Sequence, residues 1–292
     1  MYTITGVTGH VGAATARELL DRNMQVRAVV RNPARREEWE KQGADTVVAD
    51  FTDRAGLTQA LRGSDGAFVM LPTIETAGDD EHRRLADSIA GAAADSGISH
   101  VVLLSSVGAE LADGTGPIRW LHHLENRLRE SGAVVSVIRS WHFQEKVETL
   151  LGAALGAGIY PVFGDSADAP TPMIATRDIG RVAAEALLAP PASSEVIDLV
   201  GPEYTERDVA DRLAATLGKP LQVVTVPREG WVGAMVDAGL PVPFAHELAA
   251  LYAAGEDGIL HARGDRHAAC RTPIDETLRH VVAAAAGQIP AA

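Results

Sequence analysis

Residues 2–12 read Tyr2-Thr3-Ile4-Thr5-Gly6-Val7-Thr8-Gly9-His10-Val11-Gly12, a β-prone run followed by three glycines in the spacing G-x-x-G-x-x-G. Residues 13–22 then have the apolar and polar pattern of a helix. Strand, glycine turn and helix in this order form the phosphate-binding unit of dinucleotide-binding folds. The first glycine allows a tight turn, the second lets the backbone approach a pyrophosphate, and the third lets the helix pack closely on the sheet. The predicted cofactor residues in this turn are Gly6, Thr8, Gly9, His10, Val11 and Gly12.

Strands and helices continue to alternate as far as residue 140. Apolar strands are predicted at residues 2–5, 25–30, 46–49, 66–71, 100–104 and 134–138. Because they are apolar on both sides, they fit a parallel sheet that helices cover on both faces. Right-handed crossovers wind such strands into a doubly wound α/β fold, the Rossmann arrangement, in which ligands lie at the carboxyl ends of the strands.

The pattern changes after residue 140. A helix is predicted from Phe143 to Ala157, followed by a loop rich in Gly, Pro and Asp from Gly158 to Pro172. Later come a helix at 176–188, a strand at 196–200 that would lie at the edge of the main sheet, and a stretch that is mainly helical apart from one strand and an irregular segment before the final helix. We predict a dinucleotide-binding domain at 1–150, to which 174–200 return, and a smaller, mainly helical substrate subdomain formed by 151–173 and 201–292.

Composition limits the partners and the chemistry. The net charge of −13 argues against nucleic acid or an anionic membrane as the main partner. Cys270 is the only cysteine, and its neighbours His261 and His267 do not have the spacing of a standard metal site, so we expect these residues at the surface and no metal. No segment has the pattern of a signal peptide or a membrane span. We expect a cytoplasmic protein with a small-molecule substrate, and a homodimer is a compatible assembly.

The end of the second strand distinguishes between NAD and NADP. An acidic residue at this position binds the ribose diol in NAD sites, whereas this chain has Arg31. A guanidinium can bind a 2′-phosphate through two hydrogen bonds, so we expect NADPH to bind in preference to NADH. The alternative is a solvated arginine. The cofactor residues predicted after the next two strands are Asp50 and Phe51, beside the adenine, with Leu71 and Pro72.

Several stretches together resemble the NmrA-like group of atypical short-chain dehydrogenases, which includes proteins similar to quinone oxidoreductases. They are 5–12, 26–33, 104–109, 125–146 and 176–180. Catalytic short-chain dehydrogenases use a Tyr-x-x-x-Lys pair on the helix after the fifth strand, in which the lysine lowers the pKa of the tyrosine. Residues 119–127 contain neither, as is common in the NmrA-like group. Lys146 also replaces a frequent asparagine, which weakens inferences about the substrate from the resemblance.

Candidates for the chemistry follow the fifth and sixth strands. Ser105 or Ser106 could bind a substrate carbonyl, or could simply cap a loop. His122 and His142 are candidate proton donors because imidazole titrates near neutral pH. The predicted substrate-binding residues are Trp141, Phe143 and Lys146, for which packing of the subdomain is the alternative.

Three functions fit these residues. The first is an NADPH-dependent oxidoreductase that reduces a quinone, an enone or another carbonyl of a small apolar substrate. The second is an NADP(H)-sensing regulatory protein without turnover, and the third is a biosynthetic enzyme with a non-redox step. A cavity beside the nicotinamide favours an enzyme, whereas a large exposed apolar patch on residues 205–292 favours a regulator.

Overall fold

A computed structural model describes residues 1–287, and their first half alternates strands and helices as predicted. The strands are β1 (Tyr2–Ile4), β2 (Val26–Val30), β3 (Asp45–Val48), β4 (Gly66–Met70), β5 (His100–Ser106) and β6 (Val134–Ser140). The helices are α1 (His10–Asp21), α2 (Arg36–Glu40), α3 (Arg54–Leu61), α4 (Asp79–Ser96) and α5 (Ile118–Arg129).

The second half contains more strands than the sequence pattern predicted. They are β7 (His142–Phe143), β8 (Ile159–Phe163), β9 (Thr171–Ile174), β10 (Glu195–Val200), β11 (Glu203–Tyr204), β12 (Gln222–Val226) and β13 (Arg266–Ala269). Its helices are α6 (Leu151–Gly156), α7 (Thr176–Leu188), α8 (Glu206–Leu217), α9 (Trp231–Asp237), α10 (Val242–Glu256) and α11 (Ile274–Ala285). Residues Gln144–Leu150 form a 3₁₀ helix before α6.

The described residues form a central sheet of eight parallel strands in the order β13-β10-β6-β5-β4-β1-β2-β3. Tyr2 of β1 lies opposite Val26 of β2 on one side and Gly66 of β4 on the other. The order of the strands therefore changes direction between β1 and β4. In a doubly wound sheet, ligands bind at such a point, at the carboxyl ends of the strands. The predicted fold class is confirmed.

Apolar layers cover both faces of this sheet. Val30 packs in one cluster with Leu19 of α1 and Ile179 of α7, whereas the preceding Val29 packs in the other cluster with Leu85 of α4. Successive strand residues point to opposite faces, so a strand buried on both sides must be apolar throughout. This packing accounts for the continuous apolar strands in the sequence.

A separate core lies outside the central sheet. Tyr160 of β8 and Leu213 of α8 pack there with Ile274 of α11. Strands β8 and β12 pair in parallel beside this core, and β7, β9 and β11 form a third small sheet. Helices α9 and α10 pack around the buried Trp231. Within residues 1–287 no helix is both long and apolar enough to span a membrane.

The helix predicted from Phe143 to Ala157 is present without Phe143, as the 3₁₀ helix Gln144–Leu150 followed by α6, whereas the loop predicted from 158 to 172 is wrong because it contains β8 and the start of β9. Backbone pairing with β9 holds His142 and Phe143 in a short strand, which overrides the local helical pattern. Gly158, with a φ of +67°, follows α6, and β8 begins directly after it. Alternate residues of β8 are buried, a signal that the Gly and Pro content of this stretch concealed.

Strand β13 lies in a stretch that was expected to be irregular. It pairs in parallel with β10, so β13 and not β10 ends the sheet on this side. Cys270, expected at the surface, is buried at the end of this strand, and burial raises the pKa of its thiol to about 12. The division into two subdomains stays a prediction.

Candidate functional site

The glycine turn between β1 and α1 has the geometry of an anion cradle. Gly6 has a φ of +65°, a conformation that L side chains rarely adopt, and its carbonyl oxygen accepts a 3.0 Å hydrogen bond from the amide of Gly9. A Cβ on Gly12 would lie 2.3 Å from the carbonyl oxygen of Gly6, so only glycine lets α1 start this close to β1. Gly9 is the N-cap of α1 and has no side chain to satisfy the first amides of the helix. Those amides and the positive end of the helix dipole suit a phosphate group.

A cavity of about 400 Å³ extends from this turn along the ends of β2 and β3. Seven predicted cofactor residues line it: Gly6, Thr8, Gly9, Arg31, Asp50, Phe51 and, after the end of β4, Pro72. Three other residues of the turn do not line it. Val11 and Gly12 are buried beneath the turn, and His10 Nε2 lies 3.0 Å from Glu148 Oε2 in the 3₁₀ helix.

The charged side chains at and near this cavity differ in whether they already have a hydrogen-bond or ion-pair partner. Asp50 Oδ1 accepts hydrogen bonds from the amide (2.8 Å) and the hydroxyl (2.6 Å) of Thr52. These bonds, with the Arg31 guanidinium nearby, hold the pKa of the Asp50 carboxyl below its ordinary value. Arg35 pairs with Glu38 at 2.9 Å and Arg36 with Thr46 at 2.8 Å. Arg31 has no ion pair or side-chain hydrogen bond with any other residue among 1–287, which leaves its guanidinium available to a ligand.

A second cavity, of about 270 Å³, adjoins the first and shares Met70 and Pro72 with it. It lies at the carboxyl ends of β4, β5 and β6, and its walls are mainly apolar. The predicted residues that line it are Leu71, Pro72, Ser105, Ser106, Trp141 and Phe143. The two adjoining cavities, together called the cleft below, lie at the carboxyl ends of the strands beside the point where the strand order changes direction.

The floor of the second cavity rests on a buried ionic network. Glu125 of α5 is 1% exposed and accepts two hydrogen bonds from Arg139 of β6, at 2.8 and 3.0 Å. Ser105 donates to the same carboxylate at 2.6 Å. Burial opposes the charge on Arg139, but Glu125 and Glu110 together raise its pKa above the ordinary value. The Ser105 hydroxyl is therefore hydrogen-bonded inside the protein and does not point its proton at the cavity.

Neither candidate histidine is among the described residues that line the two cavities. His122 Nδ1 lies 2.9 Å from the carbonyl oxygen of Ala109, and its Nε2 lies 3.0 Å from the side-chain nitrogen Nδ2 of Asn126. His142 alternates along β7 with Phe143 and faces away from it. Burial and the nearby Lys146 lower the pKa of His142 to about 4, which keeps it neutral at pH 7.

Lys146 belongs to a cluster outside the two cavities. Its Nζ lies 2.8 Å from Glu206 Oε1, and the hydroxyl of Tyr160 donates to Glu206 Oε2 at 2.6 Å. Burial alone would lower the pKa of Lys146, but Glu206 raises it. A substrate role for Lys146, Ser105, His122 or His142 stays a prediction.

Sequence reasoning missed Trp120, Met70 and Glu125. The indole of Trp120 lines the second cavity, donates to Asp79 at 2.8 Å and stacks on His82 with ring centroids 3.6 Å apart. Its position in α5, among residues that face the sheet, was the available signal. No signal indicated Glu125 except its place in the segment that resembles the NmrA-like group, because a glutamate in a helix usually faces solvent.

The chain resembles known reductases along most of its length. The sequence profile of the NmrA-like family matches residues 2–262. An NAD(P)H azoreductase of Xenophilus azovorans is 28% identical over 255 residues, 87% of this chain and 86% of the relative. A (4-alkanoyl-5-oxo-2,5-dihydrofuran-3-yl)methyl phosphate reductase of Streptomyces griseus is 32% identical over 225 residues, 76% of each chain. The structure of an NADPH-dependent quinone oxidoreductase from Escherichia coli, complexed with NADPH, superimposes with a TM-score of 0.80. The superposition covers 97% of this chain and all of the other at 23% identity, so this likeness concerns the fold alone.

Proposed function

We propose, because this chain belongs to the NmrA-like family, that it is an NADPH-dependent oxidoreductase that reduces a quinone or a similar conjugated carbonyl compound. The observation that carries the proposal is the pair of adjoining cavities in the cleft. One end offers a glycine turn and Arg31, which has no ion pair with another described residue, and the other end offers an aromatic cavity at the strand ends. The names of three relatives in sequence, the azoreductase, the Streptomyces griseus reductase and a quinone oxidoreductase of Escherichia coli, support the same class of reaction.

The residues of the first cavity suit the anionic half of the cofactor. The free amides at the start of α1 would hold the pyrophosphate, and Arg31 would hold the 2′-phosphate. The lowered pKa of Asp50 favours its charged form, and its Oδ2 takes no part in the hydrogen bonds with Thr52. That oxygen is the atom that would accept a hydrogen bond from the adenine amino group.

The second cavity suits a flat, conjugated acceptor. Trp120, Trp141 and Phe143 supply aromatic surface that can pack against a ring and exclude water. When bound, NADPH supplies a hydride to such an acceptor. No histidine, lysine, tyrosine or carboxylate is among the described residues that line this cavity, so the side chains there do not provide a strong acid. A quinone fits this environment because its reduced anion is delocalised and needs little help from a proton donor.

The first test combines binding and turnover. NADPH and NADH are titrated against the protein by nicotinamide fluorescence, and a panel of quinones, enones and simple ketones is then added while absorbance of the nicotinamide is followed. We expect tighter binding of NADPH than of NADH, and oxidation of NADPH by quinones faster than by simple ketones. Failure to bind either dinucleotide would refute the proposal.

The same experiment separates the other functions. Tight binding of NADPH without oxidation by any acceptor would favour a sensor of NADP(H) or an enzyme with a non-redox step. Oxidation of simple ketones at the rate of quinones would refute the choice of substrate, because such ketones need a proton donor in the cavity.

A further inference from the structure

The hydroxyl of Ser105 has a fixed orientation. It lies at the end of β5, is 4% exposed and lines the second cavity. Its proton goes to Glu125 Oε1 at 2.6 Å, the short distance of a hydroxyl donating to a carboxylate. A carboxylate has no proton to return, so this hydrogen bond has only one direction.

Two arginines hold the carboxylate that fixes this hydroxyl. Arg139 contacts both oxygens of Glu125, and Arg129 Nη2 lies 3.1 Å from Oε2. Glu125 and the side chain of Arg139 are both more than nine-tenths buried. Since a buried carboxylate with three partners has little freedom to rotate, the Ser105 proton remains directed into the protein.

The consequence is a reversal of the role expected for this serine. A hydroxyl has one proton and two lone pairs, and Ser105 uses the proton on Glu125. It presents only lone pairs to the cavity, so it accepts hydrogen bonds from a ligand and cannot donate one to a substrate carbonyl. Ser106 differs, because its contacts are with backbone carbonyl oxygens and are not fixed by a charged partner.

We propose that Ser105 accepts a hydrogen bond from the carboxamide N–H of the nicotinamide ring, and that Glu125 is the positioning residue that orients it. The assignment rests on the proposed function, since it requires NADPH in the cleft. A dinucleotide bound to a doubly wound sheet lies at the carboxyl ends of the strands, and Ser105 is at the carboxyl end of β5. The carboxamide carries the N–H donors of the nicotinamide ring.

The test compares NADPH with two reduced analogues. The 3-acetylpyridine analogue replaces the carboxamide NH₂ by a methyl group, and the thionicotinamide analogue keeps the NH₂. Dissociation constants are measured by quenching of tryptophan fluorescence, without any acceptor. Wild-type protein is expected to bind the acetylpyridine analogue about tenfold more weakly than NADPH, the effect of one lost hydrogen bond that leaves an unpaired acceptor. The thionicotinamide analogue should bind within about threefold of NADPH.

Variants assign the effect to Ser105. In Ser105→Ala the ratio of the dissociation constant of the acetylpyridine analogue to that of NADPH should fall from about ten to about one. Ser105→Thr, which keeps the hydroxyl, should preserve this ratio. Ser106→Ala is the matched control and should also preserve it. Glu125→Gln should reduce the ratio because an amide can donate to Ser105 and release its proton. Glu125→Asp, which keeps a charge beside Arg139 but reaches less far, tests the same point if Glu125→Gln does not fold.

The outcomes separate this inference from the function. A ratio that Ser105→Ala leaves at about tenfold would overturn the assignment, and so would an equal loss of affinity for all three dinucleotides. Either result would leave NADPH binding, and therefore the proposed function, intact. Absence of NADPH binding to wild-type protein would refute both.

Discussion

Replacing Arg31 by alanine should separate the two nicotinamide cofactors. Arg31 is exposed at the end of β2, lines the first cavity and has no ion pair with another described residue. A guanidinium that binds a phosphate through two charge-assisted hydrogen bonds contributes about 2 kcal/mol when solvent reaches it. Arg31→Ala should therefore weaken NADPH binding about 30-fold. The affinity for NADH, which lacks the 2′-phosphate, should change by less than about threefold.

The assay is a titration of each variant with NADPH and with NADH, followed by nicotinamide fluorescence at about 0.1 M salt, where screening is moderate. Arg35→Ala is the matched control, because Arg35 is a neighbouring arginine already paired with Glu38. It should alter the affinity for NADPH by less than about threefold. Equal weakening of both cofactors in Arg31→Ala would refute the reasoning, since it would mean that Arg31 acts on the turn and not on the 2′-phosphate.

Three other predictions concern the turn, the cavity and pH. A Cβ on Gly9 would meet only Gly6 O, at 3.6 Å, whereas one on Gly12 would collide with backbone. Gly9→Ala should therefore keep the wild-type melting temperature but lose NADPH affinity. Gly12→Ala should lose affinity and also lower the melting temperature by about 3–10 °C, measured by circular dichroism. Phe143→Leu keeps apolar volume without a flat ring and should raise the KM for a quinone about fivefold in steady-state kinetics; an unchanged KM would exclude Phe143 from the acceptor site. The pKa of His142 falls from 6.5 to about 4 on folding. Below about pH 6.5 the unfolded chain therefore binds a proton that the folded chain does not, so the free energy of unfolding should decrease from about pH 6.5 to pH 4. Urea unfolding at about pH 7 and pH 5 should show a smaller decrease in His142→Asn than in wild type, and equal decreases would contradict this pKa.

Local sequence signals were sufficient to predict most of the polar residues that line the first cavity. The glycine spacing and the residues after β2 and β3 depend on contacts within short segments, so Gly6, Gly9, Arg31 and Asp50 could be predicted and do line one cavity. The apolar strands likewise predicted a parallel sheet, because burial on both faces leaves a direct mark on composition.

The remainder depends on contacts that are distant in sequence. The pairing of β7 with β9 and of β13 with β10 joins segments about 30 and 70 residues apart, and no local pattern reports such pairing. The same limit applies to Ser105. Its residue type suggested a donor, but its role depends on a carboxylate 20 residues later, in a helix where a buried glutamate is not expected.

The path of the chain restricts how the cleft can open. The chain leaves the central sheet after β6, returns at α7 and β10, leaves again, returns at β13 and then forms α11, which packs in the separate core. A hinge between two bodies is easiest when few segments connect them, and here several crossings would have to bend together. Large swinging motions of the separate core are therefore disfavoured, and the described residues that line the two cavities all lie between Gly6 and Phe143, around the ends of the sheet strands. Such a cleft is preorganised, so little conformational entropy remains to be lost when a ligand binds.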